Sequence, residues 1–289
     1  MNFQIFFWKM DKYNSTVEIH RFSHEAVILR IYPDYPCRHF LSGQYGSLGL
    51  ISDKDNKLVK RAFSISCSII NSDTRVLINQ KDINYYEFYI NRIPINHKGR
   101  EQITPKIFRL KDGDRIFCGQ KIAGHYTYQS DNHWQNIILI GTHTGESPNN
   151  SIVNYLLLNK LNINICNINV GPDGWISSYK LEHDILEKMY SNYRFIQFID
   201  NSKNYNILNQ FFLDLINNDN EDTKTGFNLE SNSTLVMLCG DPKMIGAPIK
   251  KGGWNYEYPD YGLINILIKN GFTIKTRFKE GNINYESYW

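Results

Sequence analysis

The sequence predicts a two-domain protein of the β plus α/β class, with an N-terminal antiparallel β-barrel over residues 1–131 followed by a parallel-sheet α/β domain over residues 132–289. From about Ser15 to Tyr128, apolar and polar residues alternate in short runs, "TVEIHRF", "AVILRIY", "QYGSLGL", "YEFYINRI" and "DRIFCG", separated by polar turns such as "SDKDNK", "NHKGRE" and "KDGD". Period-two pieces broken in this way form antiparallel barrels or sandwiches. Beyond "SDNHW" the rhythm changes. Apolar runs ("NIILIG", "INICNINV", "RFIQFID", "TLVMLCG", "FTIKTRF") now alternate with stretches of helical period, the pattern of a parallel sheet with helices on both faces. One such stretch, Asn206 to Asn217, sets Ile207, Leu208, Phe211, Phe212, Leu215 and Ile216 on one helical face. The joint between the halves is placed near Asp131.

Composition narrows the function. At 289 residues, with 42% hydrophobic and 21% charged residues, the chain can bury a core in each domain and is not a disordered sequence. A formal charge of +3, with Lys and Arg scattered, argues against nucleic acid as a partner. No run approaches a membrane span, and the start, "MNFQIFFWKMDKYN", lacks the basic leader of a secretory signal. A cytoplasmic protein, monomeric or weakly dimeric, is expected. The five cysteines are far apart and include no C-x-x-C pair, so neither a disulfide framework nor a metal site is predicted. Redox chemistry then requires a bound organic cofactor.

Several short motifs carry chemistry. "KRAFSISCS" puts Arg61 and Phe63 on one side of a strand and Ser64 on the other. Upstream, "FLSGQY" contains Gly43, where backbone can approach closely. Downstream, "ITPKIFRLKDGD" offers Thr104 as a cap and Pro105 as the first residue of a helix whose free N–H groups favour an anion. In the second half, "LIGTHTGESPNNSIV" joins a strand to a helix through Gly141 and Gly145, a loop that lets a diphosphate approach the backbone. "VMLCGDPKMIGAP" sets Cys239 and Gly240 at the carboxyl end of another strand, and the chain closes on "NYESYW".

The order of these pieces resembles that in the ferredoxin/flavodoxin NAD(P)+ reductase family of flavoproteins, and most closely its bacterial branch, whose chains end in tryptophan. The resemblance runs from about Ser15 to Trp289. It implies an FAD-binding barrel, an NAD(P)-binding α/β domain, hydride transfer between NAD(P)H and flavin N5, and single-electron exchange with a ferredoxin or flavodoxin-like carrier. Carried over by position, it implies that Arg61 contacts the FAD pyrophosphate, that Phe63 and Trp289 cover opposite flavin faces, and that Ser64 bonds near N5. Ala62, Tyr89 and Thr104 complete the FAD-binding set. Gly141, Thr142, Thr144, Gly145 and Pro148 form the dinucleotide loop, with Asp200, Cys239 and Gly240 beside the coenzyme. Ser64, Cys239, Glu286 and Trp289 make up the catalytic group. The same fold also serves oxygenase reductase components, flavin reductases and flavin-binding conduit subunits that do not use nicotinamide.

Three departures from the family pattern stand out. His143 replaces a glycine, either as a tolerated loop residue or as a phosphate grip, and Glu146 is expected to point outward, away from a diphosphate. Asp200 ends a strand where arginines for a 2'-phosphate are common. It suits a ribose 2'-hydroxyl, or merely starts a turn with Asn201 and Ser202, while Lys203 beside it offers a point charge for a phosphate, so NADH and NADPH both stay open. The connection "IINSDTRVLINQKDIN" and the aromatic stretch Lys250 to Gly262 are long. The second is either a surface excursion or a docking rim for an acidic carrier.

Overall fold

The structure, a computed structural model, describes residues 12–92, 102–128, 134–202, 204–217, 225–252, 255–276 and 278–288. In the first half, β1 (Ser15–Phe22), β2 (Ala26–Pro33), β3 (Tyr45–Ile51), β4 (Leu58–Ser66), β5 (Tyr86–Asn91) and β6 (Arg115–Cys118) form a closed barrel in the order β1-β2-β5-β4-β3-β6. Closure comes from β6 pairing back to β1, with Ser15 opposite Ile116, and leaves no open edge. Alternation sends Val27, Leu29, Ile31, Leu48, Ile65, Phe88 and Ile116 inside. A single helical turn, α1 (Thr104–Ile107), precedes β6.

β2 is apolar on both faces because both are covered. Ala26 and Ile28, facing outward, pack with Tyr89 and with Tyr179 of the second half. Tyr179 also donates to Glu87 on β5 at 2.9 Å and shares a hydrogen bond with Ser66 at 3.0 Å. Arg21 on β1 is paired with Glu182 and donates to the Ser178 carbonyl. The buried Glu87 carboxylate is further held by Ser68 and Arg30, so it is not left as an uncompensated charge.

The second half runs β7 (Asn136–Thr142), α2 (Glu146–Leu158), β8 (Asn164–Gly171), α3 (Lys180–Met189), β9 (Tyr193–Ile199), α4 (Asn206–Asn217), β10 (Thr234–Gly240), α5 (Pro242–Ile245), β11 (Ile249–Gly252), β12 (Asn255–Glu257), α6 (Leu263–Lys269) and β13 (Ile283–Ser287). Five of these strands make a parallel sheet in the order β13-β10-β7-β8-β9. On β7, Ile137 and Leu139 face Ile152, Val153 and Leu156 of α2 and Leu186 of α3. Ile138 and Ile140 face Leu208 and Phe212 of α4 and Leu263 and Leu267 of α6. A strand buried on both faces reads as an unbroken apolar run, which is what "IILI" is. Burying each such side chain contributes about 1.5–3 kcal/mol relative to exposure.

Two expectations about elements are corrected. Residues 272–276 of "FTIKTRF" make only isolated bridges, and the fifth parallel strand is "INYES", Ile283–Ser287. β13 pairs with β10 over its whole length, and the Tyr288 amide donates to the Gly240 carbonyl at 2.9 Å. The segment up to Tyr288 is therefore a sheet edge rather than a loose tail. On α4, Ile207 is 56% exposed, because only Leu208, Phe212 and Leu215 lie squarely on the sheet. Residues 131 and 132, the proposed domain joint, lie outside the described residues.

The long connection after β4 is not a surface excursion throughout. Ile69 and Ile70 pack into the α2 face of the second core, and Asn154 of α2 donates to the carbonyls of Ile69 and Ile78 at 3.0 and 2.8 Å. The connection therefore ties barrel to sheet.

Candidate functional site

A cavity of about 540 Å³ opens between the barrel and the carboxyl edge of the parallel sheet. Four consecutive residues of β4, Arg61 to Ser64, form one wall, Tyr89 and Thr104 a second, and Thr144, Ser147, Glu286 and Tyr288 the wall facing the sheet. The positions near one another in "KRAFS" are thus joined by residues more than 200 positions away, because β13 lays the end of the chain beside β10.

Ser64 is the hinge of this arrangement. It is 7% exposed, its Oγ lies 2.7 Å from the Tyr288 hydroxyl, and its carbonyl accepts from Ser147 Oγ at 3.0 Å. Tyr288 and Ser147 lie within motifs read in the sequence but were given no site role there, Gln102 and Asn91 were not singled out, and all four line the cavity. The available signal was position alone: Tyr288 and Ser147 each neighbour a motif residue.

Glu286 follows from the same strand. Cys239 and Glu286 are register partners on β10 and β13, but only Glu286 lines the cavity. Its Oε2 is buried without a hydrogen-bond partner, and burial pushes its carboxyl from 4.5 up to about 7. Gln102 Oε1, also lining the cavity, is buried and unpartnered too. Polar atoms buried in this way imply a ligand or water that completes them.

Several predicted site residues are engaged by contacts within the chain itself. Cys239 is fully buried in the core that faces α2, with its thiol pushed up by burial, and does not reach the cavity. Thr104 lines the cavity but is not a cap: Ile103 holds that position, there is no side-chain capping bond, and the helix is one turn of four residues. A single turn leaves little dipole to offer an anion. Thr142 is buried and its Oγ1 accepts from the Asp241 amide at 2.8 Å, locking the ends of β7 and β10 together. Pro148 is buried within α2.

The glycines serve the chain's own packing. A Cβ on Gly141 would stand 2.6 Å from the Gly145 carbonyl carbon, one on Gly145 would strike the Cys239 carbonyl, and one on Gly240 would strike Thr142. Gly240 also has φ +122°, a conformation that L residues rarely adopt. Gly43 likewise admits the Tyr126 carbonyl.

Glu146 overturns its expectation most fully. It points inward, is fully buried, and accepts from Asn169 Nδ2 at 2.5 Å, Ser177 Oγ at 2.5 Å and His183 Nε2 at 2.9 Å. Tyr193 hydrogen-bonds the other ring nitrogen of His183 at 2.8 Å. The first turn of α2 lies against β8 and the 177–183 segment, so this side chain has no outward path, and three donors stabilise a carboxylate at the positive end of the helix.

A second cleft, about 250 Å³, lies at the carboxyl ends of the strands and is lined by His143, Gly171, Pro172, Asp200, Tyr205 and Asp241 among others. His143 has φ +49°, its ring meets Trp175 edge-on at 5.7 Å, and burial lowers its pKa, which keeps the imidazole neutral. That disfavours the cationic phosphate grip. Asp200 accepts from the Ser202 amide and hydroxyl and from the Leu208 amide, at 2.8, 2.5 and 3.0 Å, so it caps α4 while bordering the cleft. Trp289 lies outside the described residues.

No protein-family model matches the chain. It is 25% identical over 254 residues to a flavodoxin/ferredoxin–NADP reductase of Buchnera aphidicola subsp. Schizaphis graminum, covering 86% of this chain and 88% of that protein. A reductase of the same name from Escherichia coli is 24% identical over 211 residues, covering 73% and 77%. Over most of its length the chain is similar to flavodoxin/ferredoxin–NADP reductases. Its fold matches that of a ferredoxin NADP+ reductase from Neisseria gonorrhoeae solved with bound FAD and NADP, at TM-score 0.67 and 14% identity over 95% of this chain and 97% of that one. The FAD/NAD-binding domain of a Vibrio cholerae nitric oxide dioxygenase has the same fold, at TM-score 0.61 and 13% identity over 96% and 98%.

Among the described residues, no helix is long and apolar enough to cross a membrane, and no group of three or more His, Cys, Asp or Glu side chains is placed to hold a metal ion.

Proposed function

We propose that the chain is an FAD-dependent oxidoreductase that takes hydride from a reduced nicotinamide coenzyme and delivers electrons singly to a ferredoxin or flavodoxin-like carrier. The observation that supports it best is the cavity of about 540 Å³ walled jointly by Arg61 to Ser64, Thr144 and Glu286. This is a site between the barrel and the carboxyl edge of the parallel sheet, where open α/β sheets bind ligands. The residues present fit a flavin dinucleotide. Arg61 offers a cation for a pyrophosphate, Phe63 an aromatic face, and Gln102 Oε1 and Glu286 Oε2 buried polar atoms that await partners.

FAD, when bound, supplies the chemistry of accepting a hydride and releasing electrons one at a time. The chain's own residues supply positioning and proton control. Ser64, fixed by Tyr288 and Ser147, presents a hydroxyl at the wall. The Glu286 carboxyl, raised to about 7, can hold or release a proton near neutral pH. Tyr288 and Arg61 to Ser64 of β4 bound the space in which two reacting rings must approach closely. In this reading Trp289 covers the flavin face that the nicotinamide must take, so deleting it is expected to tighten coenzyme binding. A cytoplasmic location accords with it.

The test is reconstitution with FAD followed by anaerobic mixing with NADH and NADPH. Bleaching of the flavin band supports the reading. A protein that retains no flavin refutes it. A flavin that neither coenzyme bleaches points instead to a conduit subunit. Reduction of a carrier protein by the reduced enzyme then separates a carrier reductase from an oxygenase component or a flavin reductase.

A further inference from the structure

We infer that the second cleft selects the coenzyme, accepting an adenosine whose ribose 2'-hydroxyl is free and rejecting one that carries a 2'-phosphate, so that this chain uses NADH in preference to NADPH. The inference rests on the nicotinamide reading of the preceding section and names its coenzyme.

The cleft is where the sheet geometry sends such a ligand. It is bounded by the ends of β8 (Val170, Gly171) and β9 (Asp200) and by Asp241 just past β10, at the carboxyl edge where dinucleotides lie across open α/β sheets. In such sites an acidic side chain accepts from the ribose 2'-hydroxyl, whereas an arginine accommodates a 2'-phosphate.

The charges here are of the first kind. Asp200 and Asp241 both line the cleft, and each is fixed by its own donors: Asp200 by the Ser202 and Leu208 amides, and Asp241 by the Lys243 amide and the Tyr205 hydroxyl, both at 2.8 Å. Neither carboxylate can turn away without uncapping a helix, α4 in one case and α5 in the other. Among the described lining residues the only cation is Lys243, and there is no guanidinium. A phosphate dianion placed beside Asp200 would therefore meet a fixed negative charge, and Lys243, the one cation among the described lining residues, is a point charge without the bidentate fork that phosphate recognition favours. His143 does not redress the balance, since its burial keeps the ring uncharged. The other polar lining groups, Asn201 and Ser202, are an amide and a hydroxyl, suited to a ribose rather than to a phosphate. Each carboxylate still has lone pairs beyond those already used, so a ribose hydroxyl can be accepted without breaking a cap.

The experiment is calorimetric titration of the FAD-loaded protein with 5'-AMP and with 2'-phospho-AMP, alongside anaerobic flavin bleaching by NADH and NADPH. Expected is binding of 5'-AMP at least about ten-fold tighter than that of its 2'-phosphorylated form, a gap that discrimination against an uncompensated charge readily reaches. Asn201→Arg, at an exposed position on the cleft rim, should close or reverse that gap without disturbing either helix cap. Equal or tighter binding of 2'-phospho-AMP to the unaltered protein overturns the inference, as does failure of both nucleotides to bind or faster bleaching by NADPH. Discrimination between the nucleotides without bleaching by either coenzyme would support the cleft assignment while refuting the hydride-transfer reading.

Discussion

Replacing Glu286 with glutamine removes an ionisable carboxyl from the wall of the cavity while keeping its shape, and the consequence for stability depends on pH in a defined direction. Burial raises this carboxyl from 4.5 to about 7 in the folded chain. Below pH 4.5 the group is protonated whether the chain is folded or not, and its neutral form is fully accommodated. Between 4.5 and about 7 the unfolded chain ionises and the folded chain does not, so stability falls by up to about 1.4 kcal/mol per pH unit. Above about 7 both states are ionised and the loss levels off, on the order of 3 kcal/mol. Other carboxylates titrate in the same range, so the informative quantity is the difference between the two proteins. Urea unfolding of flavin-free wild type and Glu286→Gln, from pH 5 to pH 8.5, should show the variant gaining on the wild type as pH rises, by about 3 kcal/mol in all. A difference that stays constant over that range would refute the argument that burial, unopposed by any donor to Oε2, sets this group's titration.

Other perturbations test the packing that shapes the site. Gly145→Ala drives a Cβ into the Cys239 carbonyl, so a loss of at least about 3 kcal/mol or failure to fold is expected, read by thermal melting. Ser64→Ala and Tyr288→Phe each remove one side of the 2.7 Å hydrogen bond. A double-mutant cycle should return a coupling of about 1 kcal/mol, whereas additive effects would mean the hydroxyls do not act as a pair. Glu146→Ala leaves His183, Ser177 and Asn169 without their shared acceptor, and about 3–5 kcal/mol of destabilisation should follow in denaturant titrations. A cost under 1 kcal/mol would show that the surrounding amides re-pair.

The fold was legible because its periodicities are local. The alternation in "TVEIHRF" and the unbroken "NIILIG" each report how many faces of a strand are covered, and the change between them marks a barrel giving way to a parallel sheet. The sequence also placed Arg61, Phe63, Ser64, Tyr89, Thr104, Thr144 and Glu286, all of which line one cavity. It misjudged "FTIKTRF" because a β-branched run looks like a strand whether or not a neighbour is free to pair with it. It misjudged Thr104 because Thr-Pro signals a helix start only to within a residue.

What only the tertiary structure decided are the long-range facts. Glu146 reads as a misplaced surface charge until Asn169, Ser177 and His183, 23 to 37 positions further along the chain, converge on it. Gly141 and Gly145 look like room for a ligand, yet a Cβ on Gly141 would meet the Gly145–Glu146 backbone and one on Gly145 the Cys239 carbonyl of β10. Tyr288 reaches Ser64, 224 positions away, only because β13 takes the sheet edge beside β10. Local sequence determines which residues seek burial or a turn, since that preference belongs to each side chain and its near neighbours. Which partner meets a buried polar group is set by the register of strands distant in sequence, and no short window of the chain contains it.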